Sequence, residues 1–370
     1  MARADALEAQ TGLGGMAWAL RDLFRVRYMS PLSRVCAEVL EETRELRRAA
    51  LRGDDPEVLE GAAMVEERDL SDHALLLGRP VVASAGAASL VGWVRRCRRP
   101  KLVFAELDPF FRNARGGGYE ALQFLASYGY TVRWAMMGAS EVGAPHKRTR
   151  LWLLAALPDA ADLVSRAASA SPEAEWLGLL ADPAREPERM EPDSPERRRL
   201  CHCLSCSCVP HAARWAFVEL ARWMEDGACG AKPQRDPPRS ALPSAGGACE
   251  CCGWWAADAP LPVGRPAPKL ALCFDPALYR AGWEARLASP PLRSPMSASE
   301  WATPRHMNYC AGQTLTAQSV RELPSQVRWE TGSGDQRCRE GQVSVPFLCW
   351  MMGYPEHLVC WAGDSGAPGV

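Results

Sequence analysis

The sequence predicts an open α/β sheet with helices on both faces. Short apolar runs typical of strands alternate with helical segments through the first 156 residues. Turn chemistry agrees with this alternation, because Gly129 follows a helical pattern at the position where many helices end in a left-handed residue. Ligands of such sheets bind at the carboxyl ends of the strands, so we expect functional residues to follow strands directly.

Each predicted element has its own local signal. Residues 24–28 alternate apolar and polar side chains, as a half-buried strand does. Ser30 and Pro31 fit an N-cap and a first-turn proline of a following helix. The segment ADALEAQ, residues 4–10, is a poor strand. Further strands are predicted at 73–82, 101–106, 131–137 and 150–156, and helices at 89–97, 119–130 and 211–226.

Composition limits the class of protein. With 370 residues and 47% hydrophobic content, the chain can form one large or two ordinary domains. A net charge of -1 excludes a general polycation but leaves room for a local basic patch. No apolar run approaches a membrane span, and the first ten residues lack the apolar core of a signal peptide. Fifteen cysteines then indicate free thiols or metal ligands, so we expect an intracellular protein, cytoplasmic or nuclear.

Two motifs carry candidate chemistry. The segment TGLGGMAWAL, residues 11–20, is rich in glycine and precedes a predicted helix, so its backbone amides can approach a cofactor or form an ordinary turn. The segment VGAPHKRTRLWLLA, residues 142–155, places His146, Lys147, Arg148 and Arg150 beside an apolar strand. These basic residues either form a solvated strand end or bind an anion or a base edge.

The order of these motifs resembles the DNA (cytosine-5) methyltransferase family, especially its bacterial and phage members. The best match is residues 117–155, which resemble the stretch that ends in the family's Gln-x-Arg-x-Arg pattern. Residues 344–359 are similar to the segment after the target-recognition region, and residues 301–315 resemble a Trp-x-Thr-Pro lead-in of phage members. The resemblance implies an S-adenosylmethionine-dependent methyltransferase fold, that cofactor, and double-stranded DNA as partner.

The resemblance also implies roles for individual residues. Family members extrude a cytosine from the duplex and attack it with a cysteine thiolate. By resemblance, Glu106 is the acid that holds the base, Arg148 and Arg150 are the arginine pair, and His146 and Lys147 contact DNA. The same resemblance implies a cofactor loop around a group of three glycines, and Asp69 is either the partner of the adenine ring or an ordinary surface residue. The three glycines are Gly12, Gly14 and Gly15.

The sequence departs from the family at the nucleophile. The family's Pro-Cys-Gln reads Pro80-Val81-Val82 here, and a valine side chain cannot form a covalent adduct. The segment from Pro80 to Glu106 is shorter than the family's catalytic loop, and Cys97, the nearest thiol, lies on another element. Tyr28 and Ser30 stand where acidic ribose-binding residues are expected. The sequence thus predicts weak or absent methyl transfer.

The second half of the chain has a different composition. Residues 181–199 and 231–247 are Pro-rich and charged, which predicts loops or linkers. We predict a methyltransferase-like domain at 1–157, a variable target-recognition-like region at 158–300, and a C-terminal family segment at 301–370. Two Cys-x-x-Cys pairs of the variable region predict a tetrahedral zinc site or are scattered free thiols. Their members are Cys203, Cys206, Cys249 and Cys252.

Three functional hypotheses remain open at this level. The chain is an active cytosine methyltransferase whose catalytic loop is rearranged or replaced by another thiol. Alternatively, it is an inactive relative that keeps the scaffold for binding DNA or a partner. The third hypothesis is a zinc-dependent interaction protein that carries an inert domain.

Overall fold

A computed structural model confirms the open α/β sheet. It describes residues 3–225, apart from positions 61, 67, 79–85, 113–116, 147, 179, 181–184, 186, 188–189 and 193, together with residues 341–355. Seven strands form one sheet in the order β3-β2-β1-β4-β5-β7-β6. The five strands β1 to β5 are parallel, and β7 is antiparallel to both of its neighbours, β5 and β6.

The strands of the main sheet are β1 (Ala4–Thr11), β2 (Phe24–Pro31), β3 (Glu57–Val58), β4 (Ala74–Leu77), β5 (Leu102–Leu107), β6 (Thr131–Gly138) and β7 (Thr149–Ala156). A separate antiparallel pair consists of β8 (Met190–Pro192) and β9 (Gly341–Val343). The helices are α1 (Gly15–Ala19), α2 (Arg34–Glu42), α3 (Arg44–Ala50), α4 (Ala62–Glu66), α5 (Gly86–Arg96), α6 (Gly118–Ser127), α7 (Ala161–Ser169), α8 (Pro195–Cys206), α9 (Pro210–Glu225) and α10 (Val345–Met352).

Side-chain alternation along the strands divides the core into two layers. On β5, Phe104 belongs to one layer, whereas Val103 and Ala105 belong to the other. Helices α1, α2 and α7 to α10 cover the face that carries Phe104. Helices α4 to α6 cover the opposite face. Every residue of β5 is buried, as expected for a parallel strand covered on both sides.

The expectation that residues 4–10 form a poor strand is wrong, because they belong to β1, which lies between β2 and β4. A strand buried on both faces needs no polar–apolar alternation, so its sequence pattern is weak. Its one buried acid, Glu8, accepts hydrogen bonds from Thr11 Oγ1 at 2.8 Å and from the Ala17 amide at 2.7 Å. These bonds close the turn that follows β1.

Two helix starts also differ from expectation. Ser30 and Pro31 lie in β2, and α2 begins only at Arg34, where Ser33 Oγ accepts the Cys36 amide at 3.2 Å. Part of the predicted loop at 181–199 is helical, since α8 begins at Pro195 after a Ser194 cap. The cap and the proline were both visible in the sequence.

The end of α6 follows the prediction. Gly129 has a φ of +83°, and its amide donates to the Ala126 carbonyl at 2.9 Å. The next amide, that of Tyr130, donates to the Leu125 carbonyl at 3.1 Å. This pair of bonds is a Schellman cap, in which a glycine avoids the steric cost of a positive φ.

Helix α9 confirms the helix predicted at 211–226 and packs directly against the sheet. Phe217 of α9 meets Phe104 of β5 edge-on, with ring centroids 5.0 Å apart, and Phe104 stacks on Trp152 of β7. Arg214 of α9 forms a two-bond ion pair with Asp22, at 2.7 and 2.9 Å. Thus residues assigned from sequence to the variable region contribute to the core of the sheet, and the domain boundaries remain a prediction.

Within the described ranges, no helix combines the length and apolar character that a membrane crossing requires.

Replacing Phe217 with alanine tests this packing. Phe217 is completely buried, so we expect the free energy of unfolding to fall by about 3–5 kcal/mol. Denaturant titration measures the change. Leu46→Ala, at a side chain that is 38% exposed, is the matched control and should cost less than about 0.5 kcal/mol. Equal effects of the two substitutions would show that α9 is not part of the core.

Candidate functional site

Strand topology brings together the acid and the arginines that the sequence placed far apart. Glu106 lies near the carboxyl end of β5, and β7 runs antiparallel beside it, so the start of β7 meets the end of β5. Glu106 pairs with Trp152 in this register. Arg148 and Arg150 precede Trp152 by four and two residues, so their side chains point to the same face as Glu106.

The three charged side chains form a buried ion cluster. Glu106 Oε1 lies 3.0 Å from Arg150 Nε and 3.4 Å from Arg148 Nη2. The side chain of Glu106 is 1% exposed and that of Arg148 is 2% exposed, whereas that of Arg150 reaches 14%. The alternative of a solvated strand end is therefore wrong for these two arginines. Arg148 is an interior charge, and Arg150 lies closest to solvent.

Several polar atoms of this cluster are buried without a hydrogen-bonding partner among the described residues. They are Glu106 Oε2 and the Nε and Nη1 atoms of Arg148. The Nη2 atom of Arg148 also donates to the Ser207 carbonyl. Buried polar groups in native proteins are nearly always paired, because an unpaired one costs free energy. One carboxylate acceptor and two guanidinium donors of the cluster thus have unused hydrogen-bonding capacity.

His146 lies beside Arg148 and is fully buried. Burial is the main cause that lowers the pKa of His146 to about 3, and the positive charge of Arg148 lowers it further. The imidazole is therefore neutral at physiological pH. Lys147, the remaining basic residue of the motif, lies outside the described residues.

The glycine-rich loop between β1 and α1 lies at the same edge of the sheet. A Cβ on Gly12 would lie 2.4 Å from Ser207 Oγ, and a Cβ on Gly15 would lie 2.0 Å from the Tyr354 hydroxyl. Gly14 has a φ of +78°, which favours glycine. The loop needs glycines because two other segments of this chain, the α8–α9 turn and the end of α10, approach its backbone closely.

No sequence motif predicts that the α8–α9 turn and Tyr354 pack against the glycine loop. Ser207 Oγ accepts the Leu13 amide at 2.9 Å, while the Ser207 carbonyl accepts Arg148. The Tyr354 hydroxyl donates to the Cys208 carbonyl at 2.9 Å. The α8–α9 turn therefore links the glycine loop to the ion cluster. Its only sequence signal was the Ser-Cys-Val-Pro break between two helical stretches.

The described residues do not fit S-adenosylmethionine as the resemblance implied. Space beside the glycines is filled by Ser207, Cys208 and Tyr354, and the Gly14 amide already donates to Thr11 Oγ1 at 2.8 Å. Strand β2 ends without a carboxylate. Of the three acids that follow on α2, Glu38 and Glu42 pair with an arginine of α8, Arg199, and Glu41 is exposed.

The predicted adenine partner lies elsewhere. Asp69 is exposed and precedes β4, so it occupies the amino edge of the sheet, whereas the glycine loop follows the carboxyl end of β1. Its carboxylate accepts the Ser71 hydroxyl at 2.8 Å. The structure thus does not bring Asp69 together with Gly12, Gly14 and Gly15.

Neither Cys208 nor Cys97 is placed and ionised as a nucleophile would be. Val81, at the position of the family's cysteine, lies outside the described residues. Cys208 is a buried thiol beside the cluster, and burial, followed by the charge of Glu106, raises its pKa well above the usual range. Cys97 lies in the other core layer, and burial raises its pKa to about 12. Protonated, buried thiols are poor nucleophiles.

The structure describes only two of the four predicted zinc ligands, Cys203 and Cys206. Cys249 and Cys252 lie outside the described residues. Cys203 and Cys206 both lie on α8, but only Cys206 belongs to a cluster with metal-ligand geometry. Its partners there are Cys36 and His202.

Similarity to known proteins is limited to solved structures, at low sequence identity. No protein-family model matches the sequence, and no curated protein matches it. Among solved structures, the Dnmt2 methyltransferase of S. pombe is 16% identical with a TM-score of 0.33, covering 50% of this chain and 60% of that chain. A putative DNA modification methyltransferase from an E. coli prophage is 16% identical with a TM-score of 0.34, covering 42% and 47%.

One of the similar structures is not a methyltransferase by name. Spermidine synthase from Thermotoga maritima is 11% identical with a TM-score of 0.30, covering 42% of this chain and 53% of that chain. The chain spans less than two thirds of the length of these three proteins. The mixed sheet with the order 3-2-1-4-5-7-6 is typical of the Rossmann-like fold of S-adenosylmethionine-dependent methyltransferases, as the sequence predicted.

Removing one member of the buried ion cluster should destabilise the protein strongly. Arg148→Met leaves Glu106 with less compensation for its buried charge, so we expect a loss of about 3–5 kcal/mol in the free energy of unfolding. Adding Glu106→Gln should recover much of that loss, because the uncompensated charge is then removed. Denaturant titration of the four proteins gives the coupling energy.

Arg25→Met is the matched control for this cycle. Arg25 pairs with Asp5 at 2.6 Å, but its side chain is 45% exposed, so its loss should cost less than about 1 kcal/mol. If Arg148→Met is as mild as Arg25→Met, the cluster is not a buried electrostatic unit.

His146 should contribute to acid sensitivity. Its pKa is about 3 in the folded protein and near 6.5 in the unfolded chain, so the unfolded state binds the additional proton. Stability is therefore fully present above pH 6.5 and declines as the pH falls toward 3, by up to roughly 1.4 kcal/mol per pH unit. His146→Leu should flatten this part of the stability curve, measured by urea titration at several pH values. A variant that keeps the wild-type slope would argue against a neutral, buried His146.

Proposed function

We propose that this chain is a methyltransferase-fold protein that binds an extruded cytosine of double-stranded DNA without transferring a methyl group to it. This proposal rests on the buried polar atoms of the ion cluster that have no hydrogen-bonding partner among the described residues. Glu106 Oε2 and two nitrogens of Arg148 are buried, adjacent and without partners among the described residues. A ligand that supplies both donors and acceptors would satisfy them.

Cytosine has the required arrangement of polar atoms. Its exocyclic amine donates hydrogen bonds, which suits a carboxylate, and its carbonyl oxygen accepts them, which suits a guanidinium. Thymine instead presents a carbonyl oxygen at the position of the amine, so it would place an acceptor against Glu106. The cluster therefore favours cytosine over thymine by hydrogen bonding.

The positions of the two arginines support separate roles. Arg148 is held by the Ser207 carbonyl and by Glu106, so its orientation is fixed before a ligand arrives. Arg150 is the more exposed member, and we assign it to the entrance, where it would meet the sugar–phosphate of the extruded nucleotide. Lys147 is expected to add a phosphate contact there.

Four features argue against methyl transfer. The sequence has Val81 where the family has its nucleophile, and the thiol near the cluster, that of Cys208, has a raised pKa. The glycine loop is packed against Ser207 and Tyr354, and β2 ends without an acid. Because chemistry needs both a nucleophile and a methyl donor, we propose binding as the function of the site.

DNA binding with a single variable base tests the proposal. A duplex with one unpaired cytosine is compared with the same duplex carrying an unpaired thymine, because an unpaired base is cheap to extrude. Fluorescence anisotropy should show that cytosine is preferred by roughly tenfold or more, the expected effect of one good polar pair. Glu106→Gln should remove the preference, since its amide can also face thymine.

Asp5→Asn, at the opposite edge of the sheet, controls for the loss of one negative charge and should keep the preference for cytosine. Equal affinity of the wild type for both duplexes would refute base recognition. In parallel, radiolabelled S-adenosylmethionine should give no transfer of methyl groups to DNA, and Val81→Cys alone should not restore it, because the loop is also shortened. Incorporation that Glu106→Gln abolishes would instead establish an active enzyme with an unrecognised nucleophile.

A further inference from the structure

A second cluster of reactive side chains lies where α2 packs against α8. It consists of Cys36, His202 and Cys206, whose ligand atoms all lie within 4.8 Å of one another. None of these residues takes part in the ion cluster around Glu106. Two sulfurs and one imidazole nitrogen facing a common point form a set of soft ligands, unlike the oxygen ligands that calcium or magnesium prefer.

Local structure explains why these three side chains meet. His202 and Cys206 are four residues apart on α8, so they lie on one face of the helix, one turn apart. Cys36 lies in the first turn of α2, where its amide is fixed by the Ser33 side chain. Both helices hold their ligands on rigid backbone, which favours a defined coordination geometry.

The distances are close to those of a zinc site. His202 Nε2 and Cys206 Sγ are 3.9 Å apart. Zinc bonds of about 2.3 Å to sulfur and about 2.0 Å to nitrogen, at tetrahedral angles, separate such ligands by roughly 3.5–3.8 Å. This pair needs a shift of a few tenths of an ångström, and the two separations to Cys36, which are within 4.8 Å, need at most about one ångström. Cys36 is fully buried, while Cys206 is only partly buried, so an ion has a route from solvent.

We propose that Cys36, His202 and Cys206 bind one Zn²⁺ ion with a solvent molecule in the fourth position. Ser33 Oγ lies 3.1 Å from His202 Nε2 and 3.3 Å from Cys36 Sγ, so it can accept a hydrogen bond from that solvent molecule. Cys203, which the sequence motif pairs with Cys206, donates to the Val35 carbonyl at 3.9 Å and hydrogen-bonds the Cys36 side chain, but it is not among the three residues whose ligand atoms all lie within 4.8 Å of one another.

The ion would stabilise the turn that closes the site. Cys206 ends α8, and the next residue, Ser207, binds both the Leu13 amide and the Arg148 guanidinium. Metal binding would therefore tie α2 to the α8–α9 turn. This proposal does not depend on DNA binding, because the metal content is measured on the free protein.

Metal analysis of the purified full chain tests the site. We expect roughly one zinc per chain, lost in the double variant Cys36→Ser, Cys206→Ser. The controls are Cys203→Ser, one turn from Cys206 on the same helix, and Cys97→Ser, in the other core layer; both should keep zinc. His202→Cys retains a ligand atom, so its cobalt-substituted form should bind metal and show a stronger thiolate-to-cobalt absorption band than the wild type.

Several outcomes would overturn the proposal. One is a wild type that folds without zinc and takes up neither zinc nor cobalt. Another is zinc that persists in Cys36→Ser, Cys206→Ser but is lost in Cys249→Ser, Cys252→Ser. A disulfide between Cys36 and Cys206 in protein purified without oxidant, seen by mass spectrometry, would also exclude the site. If the double serine variant fails to fold, an unchanged cobalt spectrum in His202→Cys still refutes the proposal.

Discussion

A buried carboxylate must be compensated by positive charge, and this requirement at Glu106 organises the carboxyl edge of the sheet. The compensating arginines come from β7, which lies between β5 and β6 and runs against both. Because of that insertion, the residues that begin β7 lie beside the residues that end β5. The antiparallel strand is therefore what places Arg148 and Arg150 on Glu106. Without it, an interior charge would remain unpaired, at a cost of several kcal/mol.

The rest of the edge closes around this cluster. Ser207 connects it to the glycine loop, and Tyr354 fixes the neighbouring Cys208 backbone. Helices α8, α9 and α10, which follow the sheet in sequence, therefore complete the edge that β1, β5 and β7 begin. The proposed zinc site would fix the start of this closing turn, so that the stability of the edge would depend on metal as well as on charge.

The sequence predicted the parts of the site that depend on strand order. Once residues 101–106 and 150–156 were recognised as strands, the position of Glu106 relative to Arg148 and Arg150 followed from the resemblance. The burial of Arg148 is not predictable from local pattern, because the α8–α9 turn that contacts it through Ser207 comes from a distant part of the chain. For the same reason, the sequence around Ser207 indicates a break between helices but not the contacts of this residue, and Tyr354 has no local signal.

Other differences between the predicted and the observed structure have causes that can be named residue by residue. Strand β1 is buried on both faces, which removes the alternation by which strands are recognised. Ser194 and Pro195 form a cap and a first-turn proline that predict the start of α8. In such a helix, His202 and Cys206 lie on one face because they are four residues apart. Their third partner, Cys36, lies on another helix far earlier in the chain, and only the tertiary packing of α2 on α8 reveals it.

The proposed function assigns base binding to the buried, unpaired polar atoms of Glu106 and Arg148. A crystal structure of the protein with a duplex carrying one unpaired cytosine tests it most directly. Base recognition by this cluster predicts that the extruded base lies with its amine within hydrogen-bonding distance of Glu106 Oε2 and its carbonyl oxygen near Arg148 Nη1 or Nε. A cytosine still stacked in the duplex, with Glu106 Oε2 paired to a side chain of this same chain, would contradict it.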